Sequence, residues 1–164
     1  MEIRALEPID SKEFMEFYQK LANENDYIKV TPEEMAEKFQ KEEEKLEKKQ
    51  KIKQIFIALD GDEIVGYLAL KRIHFARLRH TAKFELGVLE DYQNEENIAE
   101  ELVKYAQDWA KENKIKRLEI SVLEDDENLK DILDDLDFTE EGTRKGTILI
   151  EDKYHNEVIM VKKI

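Results

Sequence analysis

The chain has 164 residues, 41% hydrophobic and 41% charged, with 27 Lys and Arg against 40 Asp and Glu, three His and no Cys. One domain of that length buries a full core, and its net charge of −13 argues against binding a phosphate backbone or an anionic membrane surface. The absence of Cys excludes disulfide scaffolds, thiolate zinc sites and cysteine nucleophiles, and no apolar run approaches the roughly 18 residues of a spanning helix.

Residues 1–10 lack the basic flank and apolar core of a signal peptide, which points to a soluble cytoplasmic protein. Residues 2–6 alternate and predict a short strand that ends at Pro8. Asp10, with Glu13 three residues on, reads as a capping box opening a helix with Phe14, Phe17, Tyr18 and Leu21 on one face. Thr31-Pro32-Glu33-Glu34 combines an N-cap, a first-turn proline and an acid at the third helical position, so a second helix, 31–50, starts there. From Glu33 to Lys53 seven acids and seven bases surround a thin stripe of Met35, Phe39 and Leu46. That pattern suits a solvated helix, a partner-binding helix or a mobile lid.

Two apolar runs, 54–59 and 64–73, flank Asp60-Gly61-Asp62-Glu63, a hairpin signal. Over 81–89, Ala82, Phe84, Leu86 and Val88 alternate with polar residues and predict a further strand. Ile98, Leu102, Tyr105, Ala106 and Trp109 then recur at helical spacing. Leu118, Ile120 and Val122 restore alternation over 117–123. Leu129, Ile132, Leu133 and Leu136 mark a short helix, and 147–150 and 157–163 read as the closing strands. The order β-α-α-β-β-β-α-β-α-β-β contains one strand–helix–strand crossover inside a mostly antiparallel sheet. The fold class is therefore α+β, a mixed sheet with helices on both faces, and 1–164 forms one domain.

Three stretches resemble the GNAT superfamily of N-acetyltransferases, and with the element order the resemblance spans nearly the whole chain. FELGVLEDYQ (84–93) is similar to the family's fourth strand. IAEELVKYAQDWAKENKIKRLEISVL (98–123) is similar to its coenzyme-binding helix and fifth strand. LDFTEEGTRKGTILIEDKYHNEVIMVKKI (136–164) is similar to its last two strands, and EEGTRK followed by KYHNEVIM looks like the ribosomal-protein and spermidine acetyltransferase branches. The resemblance implies a GNAT-like acyl-CoA N-acyltransferase fold. It also implies transfer of an acetyl group from acetyl-CoA to a primary amine (a polyamine, a small amine or a protein amine) by direct attack, without a covalent enzyme step.

By the same resemblance the coenzyme pyrophosphate falls on Gln93, Asn94, Glu95, Glu96, Asn97, Ile98 and Ala99. The thioester falls against the backbone N–H of Val88 or Leu89, and Asp126 stands where the family has an Asn. Glu85 is the base, with His74 and His80 as alternatives. Burial beside Phe84 and Leu86 would raise the Glu85 pKa towards that task; a solvated, outward strand residue is the other reading.

Several positions depart from the family pattern. No Gly lies between Gln93 and Ala99, although Asn97 tolerates left-handed geometry. Glu95 and Glu96 repel phosphates, while as first-turn acids they also suit a helix N-terminus. Leu133 occupies the position of a proton-donating Tyr, and Asp137 that of a turn Gly. A GNAT-fold binding or regulatory module that has lost the coenzyme is therefore the alternative function. From Glu124 to Glu141 there are ten acids and one base, a face that attracts polyamines or a basic protein segment or is simply solvated. The expected partners are such amines, with no nucleic acid and no membrane, while a homodimer stays open. Three scattered His without ligand spacing give no metal site.

Overall fold

Among the described residues seven strands form one sheet: β1 (Glu2–Ala5), β2 (Lys53–Asp60), β3 (Glu63–Arg72), β4 (Thr81–Val88), β5 (Arg117–Leu123), β6 (Thr139–Ile150) and β7 (Lys153–Lys163). Their order is β1-β2-β3-β4-β5-β7-β6, and every pairing is antiparallel except β4 with β5. The structure, a computed structural model, describes residues 1–25, 28, 30, 31, 33, 34, 53–93 and 97–164. Helix α1 (Ser11–Glu24) packs on one face of the sheet, and α2 (Ile98–Glu112) and α3 (Glu127–Asp135) pack on the other. The helix expected over 31–50 lies outside the described residues beyond its first turn. There the capping box is formed, with Thr31 N–H donating to Glu34 Oε2 at 2.9 Å and Glu34 N–H to Thr31 Oγ1 at 3.3 Å.

Coverage explains the sequence pattern. β3 is buried from Ile64 to Leu70 because helices lie on both of its faces, so it reads as a continuous apolar run. Phe56, Leu68, Phe84, Leu102 and Leu118 meet on the α2 face; Phe14, Tyr18, Leu21, Ile57 and Tyr67 meet on the α1 face. In β5 only Leu118, Ile120, Val122 and the last residue, Leu123, are buried, because among the described residues α1 does not extend over that half of the sheet.

Three expectations are corrected. The first strand stops at Ala5, before Pro8. Asp10 does not cap α1 through Glu13. Its carboxylate instead clamps Arg4 (2.6 and 2.8 Å) and accepts Glu7 N–H at 2.8 Å, closing a capping box with Glu7 one turn earlier. The charge-assisted fork with Arg4 outcompetes a neutral cap. Finally, β6 starts at Thr139 and β7 at Lys153, far ahead of the expected 147 and 157. EEGTRK carries no alternation because β6 is the sheet edge and most of its side chains are exposed. Its strand form comes from pairing with β7 across Glu151 (φ 47°) and Asp152 (φ 62°), the paired positive φ of a type I′ turn.

Candidate active site

β4 and β5 pair only over Thr81–Lys83 and Arg117–Glu119, and Lys83 Nζ meets Glu119 Oε1 at 2.9 Å across the last pair. Beyond it each strand stays with its antiparallel partner, β4 with β3 and β5 with β7, and the sheet parts between them. Ladder parity decides what faces the gap. Leu89 N–H donates to Val65 O at 3.0 Å and Ile73 N–H to Thr81 O at 3.1 Å. Odd positions of β4 therefore bond β3, and Leu86 and Val88 turn their N–H groups towards β5. The expectation for Leu89 is thus overturned, since its N–H is already used; Val88 N–H points into the gap. Gln93 Nε2 donates to Val88 O at 3.1 Å, holding the adjoining Val88–Leu89 peptide in place.

A cavity of about 450 Å³ opens where the strands diverge. Leu86, Gly87 and Val88 form one wall, and the turn 125–129 with Ile132 forms the other. Leu86, Val88, Ala99, Leu129 and Ile132 make its apolar part, and Glu24, Glu90, Asp125, Asp126 and Glu127 bring five carboxylates to its lining. Among the described residues no Lys or Arg lines it. The turn is fixed from β7: Asn156 O accepts Glu124 N–H at 3.0 Å, and Asn156 Nδ2 donates to Glu124 Oε2 at 2.7 Å.

Asp126 lines this cavity and caps α3, its Oδ1 accepting Leu129 N–H at 3.1 Å, while burial pushes its carboxyl above the usual range. Leu133 is fully buried in the core with Phe138 and takes no part in the wall; Leu129 and Ile132 face the cavity instead. Neither carries a proton to give. Asn97 precedes α2 with φ 52° and ψ 32°, the left-handed geometry that its side chain tolerates. Ile98 is a core residue packed against Gly66, so only its backbone can serve a ligand. Ala99 lines the cavity, and the first N–H groups of α2 lack intrahelical partners. Asn94, Glu95 and Glu96 lie outside the described residues.

Glu85 is exposed and sits opposite Ala69, on the α1 face. Burial beside Phe84 and Leu86 does not occur, because those two point to the other face. Behind Glu85 the rings of Tyr67 and Tyr18 meet edge to face with centroids 5.7 Å apart, and Tyr18 OH donates to Val30 O at 3.4 Å. Burial first, and then the Glu85 charge, pushes both phenols above their usual pKa, so they stay protonated. His74 and His80 lie before β4, about 24 Å of strand from the cavity, and are set aside as bases. Sequence reasoning missed Leu86, Glu24, Glu90, Leu129 and Ile132. Only Leu86 carried a signal, since it shares the parity of Val88.

A seven-stranded mixed sheet parted between its two parallel strands, with a helix N-terminus at the parting, is the acyl-CoA N-acyltransferase fold. The chain matches the acetyltransferase (GNAT) domain over residues 3–159 and belongs to that family. The GNAT-family acetyltransferase of Streptococcus pneumoniae superposes with a TM-score of 0.83 at 23% identity, covering 99% of each chain. The ribosomal-protein-alanine N-acetyltransferase of Brucella melitensis gives 0.81 at 16% identity over 100% of both chains. The yncA protein of Salmonella typhimurium, solved with its cofactor acetyl-CoA, gives 0.79 at 13% identity over 99% of this chain and 92% of that one. At these identities the likeness is one of fold. No curated protein matches the sequence.

Proposed function

We propose that the chain is an N-acetyltransferase that uses acetyl-CoA to acetylate a primary amine of a polyamine, a small amine or a basic protein segment. The observation that carries the reading is the gap beyond Lys83 and Glu119, where Val88 N–H faces a cavity with an apolar strip of Leu86, Leu129 and Ile132. The acyl and pantetheine parts of the donor fit there, laid against β4 like an added strand. The donor supplies an acetyl thioester. Val88 N–H polarises its carbonyl, Gln93 steadies the adjoining Val88–Leu89 peptide, and Leu129 and Ile132 exclude water. Glu85, on the opposite face, accepts the proton of the incoming amine directly or through water. The N-terminal N–H groups of α2 meet phosphate, and the cavity carboxylates favour a cationic acceptor.

The same carboxylates favour a second reading, a GNAT-fold binding module, because they repel the phosphate end of the donor. Calorimetric titration with acetyl-CoA and a thiol-release assay with a polyamine or Lys-rich peptide separate the two. Micromolar binding with turnover supports the enzyme. No heat up to millimolar ligand, with no turnover, supports the module.

A further inference from the structure

A net charge of −13 averages two unlike ends of the sheet. Residues 71–83, the β3–β4 loop and its flanks, carry Lys71, Arg72, Arg77, Arg79 and Lys83 and no acid. A second basic segment is tied to this loop by the backbone. Lys116 and Arg117 donate N–H groups to His80 O at 2.7 and 3.0 Å. Lys83 and Arg117 are paired with Glu119 and Glu141. Among the described residues, Lys71, Arg77, Arg79 and Lys116 make no ion pair, in a chain that has acids to spare.

Phe75, 63% exposed, stacks on His74 with ring centroids 4.4 Å apart, and Leu78 is 47% exposed beside them. The loop is held in shape from within. Leu78 N–H reaches Phe75 O at 2.8 Å, Thr81 N–H reaches Leu78 O at 2.9 Å, and Arg72 Nε reaches Arg79 O at 2.8 Å. A preformed aromatic platform therefore stands among unpaired cations, at low ordering cost for a ligand.

We infer that this end of the sheet binds single-stranded RNA, with Lys71, Arg77, Arg79 and Lys116 on phosphates and the His74–Phe75 pair stacked on a base. Guanidinium groups fork phosphates, and an exposed ring takes an unpaired base. RNA commonly displays such bases in loops and ends, whereas duplex DNA hides their faces. Phe75 and Leu78 alone offer little apolar area for a membrane. The surface lies about 24 Å along β4 from the cavity, so RNA does not compete with the acyl donor.

The test is fluorescence anisotropy with a labelled oligouridine of about 20 nucleotides at about 50 mM salt, where three or four phosphate contacts give a slope of log K against log salt of roughly −2 to −3. Micromolar binding is expected. Arg77→Glu with Arg79→Glu should weaken it at least about tenfold and flatten that slope, and Phe75→Ala should weaken it about tenfold with the slope kept. Lys12→Glu with Lys20→Glu changes the net charge equally on α1 and should leave affinity within about twofold. All variants should melt like the parent, since the replaced side chains are exposed. No binding up to about 100 µM protein, equal loss in both double variants, no effect of Phe75→Ala, or stronger binding to phosphatidylserine vesicles than to RNA overturns the inference.

Discussion

Asp126 caps α3 and lines the cavity at once, and the two roles pull its titration in opposite directions. Burial raises its carboxyl pKa, the bond from Leu129 N–H lowers it, and burial prevails. A raised folded pKa contributes stability that is full below the unfolded value and lost as pH rises through the folded one. Asp126→Asn keeps an equally good cap with no charge to desolvate. It should raise the melting temperature at pH 7, and the gain should vanish near pH 3. Asp126→Ala should cost about 1 kcal/mol through the lost cap. Thermal unfolding of both variants across pH checks the sign. Glu85 answers to activity instead: Glu85→Gln should lower kcat about 100-fold while leaving the KM for acetyl-CoA and the melting temperature unchanged, as kinetics and thermal unfolding will show.

Between elements, Gly87 sets the approach of α1 to β4. A Cβ there would lie 2.6 Å from Leu21 Cδ2 and 3.0 Å from Tyr67 Cε1. Neither neighbour has room to retreat, because both are core residues. Gly87→Ala should therefore cost roughly 1 to 3 kcal/mol, read from denaturant unfolding. It should also disturb the cavity, since Glu24 at the end of α1 accepts Glu90 N–H at 3.1 Å. The end of α3 offers the reverse case. Asp137 sits at φ 62°, with its N–H on Asp134 O at 2.9 Å and Phe138 N–H on Leu133 O at 2.9 Å. This is a left-handed helix stop where Gly is preferred. Asp137→Gly should stabilise the fold by up to about 1 kcal/mol, measured the same way.

On the scale of the molecule, charge is segregated along the strands. The five carboxylates in the cavity lining stand at one end and the unpaired Lys and Arg residues of 71–83 and Lys116 at the other. A coenzyme entering the cavity brings its phosphates to the acidic end. Raising salt from about 10 to 150 mM screens that repulsion, so acetyl-CoA affinity should rise with salt, as calorimetry will show. A phosphate site built on cations shows the opposite slope. A fall in affinity with salt would mean that the α2 N-terminus outweighs the carboxylates.

Side-chain periodicity was enough to find α1, α2, α3, β4 and β5, and unbroken apolar runs about a hairpin turn found β2 and β3, because burial of one face writes a period into the sequence and burial of both writes a run. The first-turn capping box at Thr31 and Glu34 was equally local. The stretch of β6 before residue 147 left no such record, since an exposed edge strand buries little and owes its form to hydrogen bonds from β7. Val88 and Leu89 could not be told apart from residue type. Their N–H groups point in opposite directions by ladder parity with β3, and parity is fixed by register. Leu133 lost its place in the cavity wall to Leu129 and Ile132 because the rotation of α3 is set by the core beneath it. The acidic lining draws on Glu24, Glu90 and residues 125–127, three segments that only the sheet and its helices bring together. Local pattern thus determined which faces are buried, and tertiary pairing decided which backbone groups and charges converge, because convergence depends on register and crossing geometry that no short stretch of chain contains.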